Sequence, residues 1–128
     1  MIRDLAVKGA MSQEEVLIHL ATSDIDFYLT GSRFFGKVTS ASDWDFCCDW
    51  QDGLEIFLLG HGFKPYKDYQ KDEIIWVLFR HPTRVDVQIC HEVNTKLIAR
   101  DFFKKLNLQR KLTYNDWNTV QGLIISLT

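Results

Sequence analysis

Residues 25–50 read IDFYLTGSRFFGKVTSASDWDFCCDW and contain two apolar segments separated by a Gly-Ser pair. The apolar residues at 25–29 predict a short strand, which ends at the Thr-Gly-Ser turn formers. A single helical turn is expected at 33–35, and side chains that alternate between two faces predict a second strand at 43–50. The centre of the fold is therefore a strand, a turn and a second strand that carries acidic residues.

The rest of the chain predicts helices and three further strands. Ser12 and Glu15 form a capping box for the first helix, and Thr113 and Asp116 repeat the pattern near the C-terminus. Helices are predicted at 13–21, 53–61, 95–106 and from 113 onward, strands at 63–69, 74–80 and 84–90, and turns at 70–72 and 81–83. This order implies an α+β fold, with a mixed sheet flanked by helices and two helices at the C-terminal end.

Length and composition indicate one globular domain over residues 1–128. No apolar run approaches the roughly 18 residues that span a bilayer, so no membrane role is expected. Residues 1–10 lack the apolar stretch of a secretory signal. The three cysteines have no CxxC spacing, which favours free, buried thiols over disulfides or zinc ligands. We therefore expect a cytoplasmic protein.

Charge is distributed unevenly along the chain, although the formal net charge is only -2. Residues 1–64 carry 5 Lys/Arg and 10 Asp/Glu, whereas residues 65–128 carry 10 and 7. Much of the positive charge lies between Lys96 and Lys111. Two interpretations remain open, namely a solvated helix face and a patch that steers a triphosphate or a polyanionic acceptor.

Three aspartates are candidate metal ligands. Asp43 and Asp45 lie two residues apart on one face of a predicted strand, where their mutual repulsion favours a bound cation, and hard oxygen ligands favour Mg. Asp86 lies in an otherwise apolar strand and completes the cluster if that strand neighbours the first. Arg84 shares the face of Asp86 and would pair with a carboxylate or reach a phosphate. Taken alone, Asp43 and Asp45 also fit solvent-facing positions on an edge strand.

The Gly-Ser pair is a candidate phosphate cradle. Gly31 permits close approach of a phosphate to the backbone, and the amides and hydroxyl of Ser32 are donors, although Ser32 also fits an ordinary helix cap. Arg33 is a further candidate for phosphate contact, with a surface charge as its alternative. Ser42 is a candidate for fixing the first aspartate or the phosphate tail.

Residues 31–46, GSRFFGKVTSASDWDF, resemble the signature of the DNA polymerase β-like nucleotidyltransferase superfamily, a Gly-Ser pair followed by Asp-x-Asp, with a third Asp on a later strand. The size is similar to that of its minimal members, including small nucleotidyltransferase antitoxins. The resemblance implies that Asp43 and Asp45 bridge two Mg ions, with Mn as the alternative ion, and that Asp86 binds the ion that activates the acceptor. It also implies that the Gly-Ser pair binds the triphosphate tail.

The function implied by this resemblance is Mg-dependent transfer of a nucleoside monophosphate, with ATP as the expected donor, onto an acceptor hydroxyl with release of pyrophosphate. The net charge of -2 favours a protein or small-molecule acceptor over nucleic acid. An RNA 3′ end is the alternative acceptor, supported by the basic stretch at 96–111. The alternative from another class is a non-catalytic interaction module of the same fold, either antitoxin-like or a host-protein binder.

Overall fold

The computed structural model describes residues 11–71, 74–90 and 92–127. These residues form a five-stranded sheet with helices on both faces. The helices are α1 (Gln13–Thr22), α2 (Gly31–Phe35), α3 (Leu54–Gly60), α4 (Val93–Leu106) and α5 (Tyr114–Leu127). The strands are β1 (Tyr28–Thr30), β2 (Trp44–Asp49), β3 (Lys64–Lys71), β4 (Ile74–His81) and β5 (Val85–Cys90). The predicted α+β class, the mixed sheet and the two C-terminal helices are confirmed.

The sheet has the strand order β1-β2-β5-β4-β3. β2 and β5 run parallel, whereas the other three neighbouring pairs are antiparallel. The parallel register aligns Asp45 with Asp86, and the β4–β5 hairpin aligns Arg80 with the same Asp86. The two central strands therefore bring charged side chains together that are far apart in sequence.

Side-chain alternation on the central strands divides the interior between the two faces of the sheet. The apolar cluster beneath α1 and α3 consists of Val16, Leu20, Cys48, Leu54, Leu58, Phe63, Phe79, Val85, Val87 and Ile89. Full burial of each large apolar side chain contributes roughly 1.5 to 3 kcal/mol, so this cluster provides most of the hydrophobic stabilisation. The cluster beneath α4 is smaller and contains Cys47, Cys90 and Val93. All three cysteines are buried and free, as predicted.

Helix ends follow the predicted capping patterns. The Ser12–Glu15 capping box starts α1, and reciprocal bonds between Thr113 and Asp116 precede α5. The first turn of α4 is capped from the sheet, because the backbone N–H of Val93 donates to Asp49 Oδ1 at 2.6 Å. This bond fixes the start of α4 against the end of β2.

Several predicted boundaries differ from the structure by one to three residues. β1 begins at Tyr28 rather than at residue 25, because the Ser23 hydroxyl accepts the N–H of Ile25 and holds a local turn before the strand. Residues 70 and 71 of the turn expected at 70–72 belong to β3, which continues to Lys71, and residue 72 lies outside the described residues. Residues 1–10, for which the sequence predicts no secretory signal, also lie outside the described residues. None of the described helices has the length and apolar character needed to cross a membrane.

Candidate functional site

Three carboxylates meet near the beginnings of the parallel strands β2 and β5. One oxygen atom each from Asp43, Asp45 and Asp86 lies within 4.8 Å of the other two. Asp45 and Asp86 are direct neighbours in the parallel ladder, and Asp43 immediately precedes β2. The side chain of Asp86 is only 7% exposed, whereas that of Asp43 is 33% exposed. The prediction that the strand of Asp86 lies beside the first acidic strand is confirmed.

The electrostatics of this cluster are unfavourable for three ionised carboxylates. The pKa of Asp45 is raised to about 6, mainly by burial and also by the negative charges of Asp86 and Asp43, while Lys96 and Arg80 oppose the rise. Two effects therefore disfavour ionisation of Asp45: its low-polarity surroundings and repulsion by the neighbouring carboxylates. A bound cation would remove both penalties.

Arginines pair with the other two aspartates. Arg80 forms a bidentate ion pair with Asp86, through Nε to Oδ1 at 2.9 Å and Nη2 to Oδ2 at 3.0 Å. Arg84 donates from Nε to Asp43 Oδ1 at 2.8 Å and from Nη2 to the carbonyl of Ala41. Arg84 therefore pairs with a carboxylate, one of the two predicted roles. It lies just before β5 with a φ of +73°, so the strand alternation that predicted a shared face with Asp86 does not apply to it.

Arg80 was not identified from the sequence as a site residue. A signal for it was nevertheless present, because a short turn at 81–83 between two strands brings the residues before and after it together. In the structure the β4–β5 register places Arg80 opposite Asp86. Cross-strand pairs of opposite charge are a recurrent feature of antiparallel sheets, but the predicted turn at 81–83 places residue 84 opposite Arg80, so the hairpin indicated the neighbourhood of Asp86 and not the pair itself.

Gly31 brings the beginning of α2 directly against the carboxylates. Its φ angle is +71°, and a Cβ atom at this position would lie 2.3 Å from Oδ2 of Asp45. Both the backbone conformation and the close contact therefore require glycine here. The adjacent Thr30 pairs with Asp45 in the β1–β2 ladder, and its buried hydroxyl oxygen has no hydrogen-bond partner among the described residues.

Ser42 and Arg33 occupy different environments. Ser42 lines the same cleft as the aspartates, but its hydroxyl also closes a turn by accepting the N–H of Thr39 at 2.8 Å. The guanidinium of Arg33 lies over the Trp44 ring, 4.2 Å from its centroid, and donates to the carbonyl of Ser42 at 3.1 Å. Arg33 is not among the described residues that line the cleft. The structure therefore does not bring the Arg33 side chain to the carboxylates.

A cleft of about 860 Å³ lies between the carboxylate cluster and helices α4 and α5. One wall contains the sequence-predicted residues Gly31, Ser32, Ser42, Asp43, Asp45 and Asp86. The part of the lining that α4 and α5 contribute includes Lys96, Lys104 and Trp117. Of the described residues that line the cleft, seven are Lys or Arg and three are Asp, although the whole chain is acidic. The cleft is therefore large enough for a small ligand and carries a net positive charge suited to an anion.

The basic stretch at 96–111 has two environments. Lys96 is buried, Lys104 donates to the carbonyl of Phe34 at 2.7 Å, and Arg110 forms an ion pair with Asp116. A solvated helix face is therefore wrong for Lys96. Lysines on an amphipathic helix are normally exposed, and only the packing of α5 against α4 reveals this exception.

Comparison with known proteins gives no match to this chain: no protein-family model, no curated protein and no solved structure matches it. Membership of the nucleotidyltransferase superfamily therefore stays a resemblance. It is carried by the motif at 31–46 together with Asp86, and the geometry of the cleft provides the independent basis for a functional proposal.

Proposed function

We propose that this chain is a Mg-dependent nucleotidyltransferase of the DNA polymerase β-like type. It moves a nucleoside monophosphate from a nucleoside triphosphate, with ATP as the expected donor, onto an acceptor hydroxyl. The observation that carries this proposal is the carboxylate cluster, with oxygens within 4.8 Å of one another, in a cleft that is otherwise rich in Lys and Arg. Carboxylates suit a divalent cation, and the surrounding cations suit the polyphosphate that the metal accompanies.

The residues of the cluster fit Mg. Mg–oxygen bonds of about 2.1 Å place neighbouring ligand atoms about 3 Å apart and opposite ones about 4.2 Å apart, so oxygens that all lie within 4.8 Å of one another are close enough to converge on an ion after small side-chain adjustments. Asp43 and Asp45 would bridge two ions, and Asp86 would hold the ion nearer the acceptor, with Mn as the alternative metal. When bound, the ions neutralise charge on the triphosphate and lower the pKa of the acceptor hydroxyl.

The chain itself contributes positioning and proton transfer. Gly31 allows the triphosphate tail to approach the backbone, and Ser32 offers a hydroxyl donor. The acceptor oxygen forms a bond to the α-phosphorus, the bond from that phosphorus to the α–β bridging oxygen breaks, and pyrophosphate leaves. Asp86 accepts the acceptor proton. Arg80 holds the Asp86 carboxylate in a fixed orientation, and the remaining oxygen lone pairs stay available for the metal and the proton.

The acceptor in this proposal is a protein or a small molecule. The acidic net charge of -2 opposes nonspecific association with nucleic acid, although the positive cleft keeps an RNA 3′ end as the alternative. Three buried, unpaired thiols suit a reducing compartment, which supports placing the reaction in the cytoplasm.

A second candidate is a non-catalytic interaction module. It is favoured by the two arginine pairs, since Arg80 and Arg84 already neutralise two of the three aspartates without metal. In that case Mn, measured by electron paramagnetic resonance, would not bind to the wild-type protein at millimolar concentration. The enzyme proposal requires Mn binding that Asp43→Asn and Asp45→Asn both remove.

Label transfer tests the enzyme proposal directly. The protein is incubated with Mg, cell extract and ATP labelled either at the α- or at the γ-phosphate. Nucleotidyl transfer predicts that a macromolecule or metabolite acquires α-label but no γ-label. Asp43→Asn and Asp45→Asn should abolish this transfer, whereas Asp52→Asn, at an exposed position outside the cleft, should retain it. Unchanged transfer by the two active-site variants would show that the assigned mechanism is wrong.

A further inference from the structure

Lys96 lies near the beginning of α4 and is only 3% exposed, yet it lines the cleft opposite the carboxylate cluster. Lysine is almost never fully buried unless an anion or several hydrogen-bond acceptors surround its ammonium group. The environment of this side chain therefore requires an explanation.

The ammonium group of Lys96 contacts an aromatic ring. Its Nζ atom lies 3.5 Å from the centroid of the Trp117 ring, which is a favourable cation–π geometry. Among the described residues, Lys96 has neither a hydrogen-bond acceptor nor an ion-pair partner, and its Nζ is not one of the fully enclosed polar atoms, so its N–H donors are open to the cleft that the residue lines. Burial lowers the pKa of Lys96, while nearby acidic groups, including Asp45, oppose this change. An incoming anion would supply the missing acceptors.

The other cationic side chains that line the cleft either have partners or are exposed to water. Arg80 and Arg84 hold aspartates, Arg110 pairs with Asp116, and Lys104 donates to a backbone carbonyl. Lys37 and Lys111 are exposed, so water satisfies their ammonium groups at little cost. Within the described part of the chain, Lys96 is therefore the buried cation of the cleft that lacks an anionic or hydrogen-bonding partner.

We infer that Lys96 is an anion-binding residue that donates hydrogen bonds to the phosphate oxygens of a polyphosphate bound in the cleft. Trp117 holds the ammonium group in place, and the anion approaches from the open side of the cleft. Identifying this anion as the triphosphate of the donor nucleotide rests on the proposed function. In that reaction Lys96 holds the polyphosphate from the wall opposite Gly31 and Ser32, so the tail is bound from two sides.

Inorganic tripolyphosphate is the probe for this site, because it requires neither a nucleobase nor catalysis. Binding to the metal-free protein is measured by titration calorimetry and by fluorescence, for which Trp117 is a nearby reporter. Lys96→Met should weaken binding by roughly ten- to hundredfold, as expected for the loss of a charge-assisted hydrogen bond. Lys105→Met removes the same charge from an exposed position on α4 outside the cleft, and should change the affinity by no more than about twofold.

A second measurement uses the wild-type protein in case Lys96→Met does not fold. Reductive methylation is followed by mass spectrometry with and without tripolyphosphate. Tripolyphosphate should slow methylation of Lys96 by about tenfold or more and leave Lys105 unaffected, as expected for an amine covered by a bound ligand. The inference is overturned if wild-type protein does not bind tripolyphosphate, if Lys96→Met binds it normally, or if Lys96 is not protected.

Failure of this inference can be distinguished from failure of the proposed function. Mn binding reports on the carboxylate cluster and does not require Lys96, whereas tripolyphosphate binding requires Lys96 but no metal. Tripolyphosphate binding that depends on Lys96, without Mn binding or label transfer, would support the anion site and contradict the nucleotidyltransferase. If the wild type binds Mn and transfers label, and Lys96→Met does both equally well, the nucleotidyltransferase is supported and the anion site at Lys96 is contradicted.

Discussion

Replacement of Asp45 by asparagine is expected to stabilise the metal-free protein while removing its response to divalent cations. The substitution keeps the size and shape of the side chain and removes its negative charge. Most substitutions of partly buried residues destabilise a protein, so an increase in stability would be a specific sign of electrostatic repulsion at this position.

The pKa of Asp45 sets the magnitude of the effect. A rise from 3.8 in the unfolded chain to about 6 in the folded protein corresponds to about 3 kcal/mol. Below about pH 4 the carboxyl group is protonated in both states, so the variant and the wild type should be equally stable. As the pH rises from 4 to 6, the wild type progressively loses about 3 kcal/mol of stability relative to Asp45→Asn. Above pH 6 the difference stays constant.

Urea unfolding at pH 4, 5, 6 and 8, followed by circular dichroism, measures this difference. The same series with Mn at about a thousand times its dissociation constant should reverse the order at pH 8, because such a ligand stabilises the folded wild type by about 4.1 kcal/mol, and the variant lacks a ligand for it. Asp52→Asn is the matched control, since Asp52 is exposed and outside the cleft, and it should follow the wild type under every condition.

Two results would refute this reasoning about Asp45. The first is that Asp45→Asn destabilises the metal-free protein at pH 8, which would mean that the carboxylate is held by favourable partners. The second is that the stability difference does not depend on pH between 4 and 6, because a raised pKa requires such a dependence.

Two further substitutions test other parts of the site, and a third tests the buried His81, which does not line the cleft. Gly31→Ala should lower the free energy of unfolding in urea by about 2 to 4 kcal/mol, because it combines backbone strain with a collision with Asp45. Gly36→Ala has the backbone strain alone and should lower it by about 1 to 2 kcal/mol. Equal losses for the two variants would contradict the contact between residue 31 and Asp45. Arg80→Gln should destabilise the metal-free protein by about 1 to 2 kcal/mol by leaving a buried carboxylate unpaired, and Mn should restore part of this loss in thermal unfolding. Burial lowers the pKa of His81, so its contribution to stability is complete above about pH 6.5 and lost as the pH falls through the lower folded-state value. Replacing His81 by asparagine, in the Asp45→Asn background, should therefore weaken acid destabilisation between pH 7 and 4, and an unchanged profile would assign that destabilisation to another group.

Local sequence patterns predicted most of the fold. The capping box at Ser12 and the alternation of side chains in β2 depend on residues close together in the chain, and both are present in the structure. The beginning of β1 was misplaced because Ile25 and Phe27 pack against the core from an irregular segment, which gives the same apolar pattern as a strand. Apolar periodicity reports burial, and burial alone does not require strand hydrogen bonding.

The site was less predictable because part of it depends on tertiary packing. Asp45 and Asp86 were identified from an acidic pair and from an acidic residue within an apolar strand. Arg80 was missed because the predicted turn at 81–83 pairs it with residue 84, whereas the observed register pairs it with Asp86. The burial of Lys96 could not be predicted from neighbouring residues in the sequence, because it depends on Trp117 of another helix.

Two features of opposite charge are costly in the free protein and lie on facing walls of one cleft. Ionised Asp45 is penalised by burial and by its neighbouring carboxylates, and a cation relieves this cost. Lys96 is buried without an acceptor, and an anion relieves that cost. A ligand of a single charge would leave one wall uncompensated, because a metal ion alone does not satisfy Lys96 and a bare anion worsens the repulsion at Asp45. A metal-bound polyphosphate relieves both costs at once, which is the physical reason for preferring a nucleoside triphosphate site over a structural network of ion pairs.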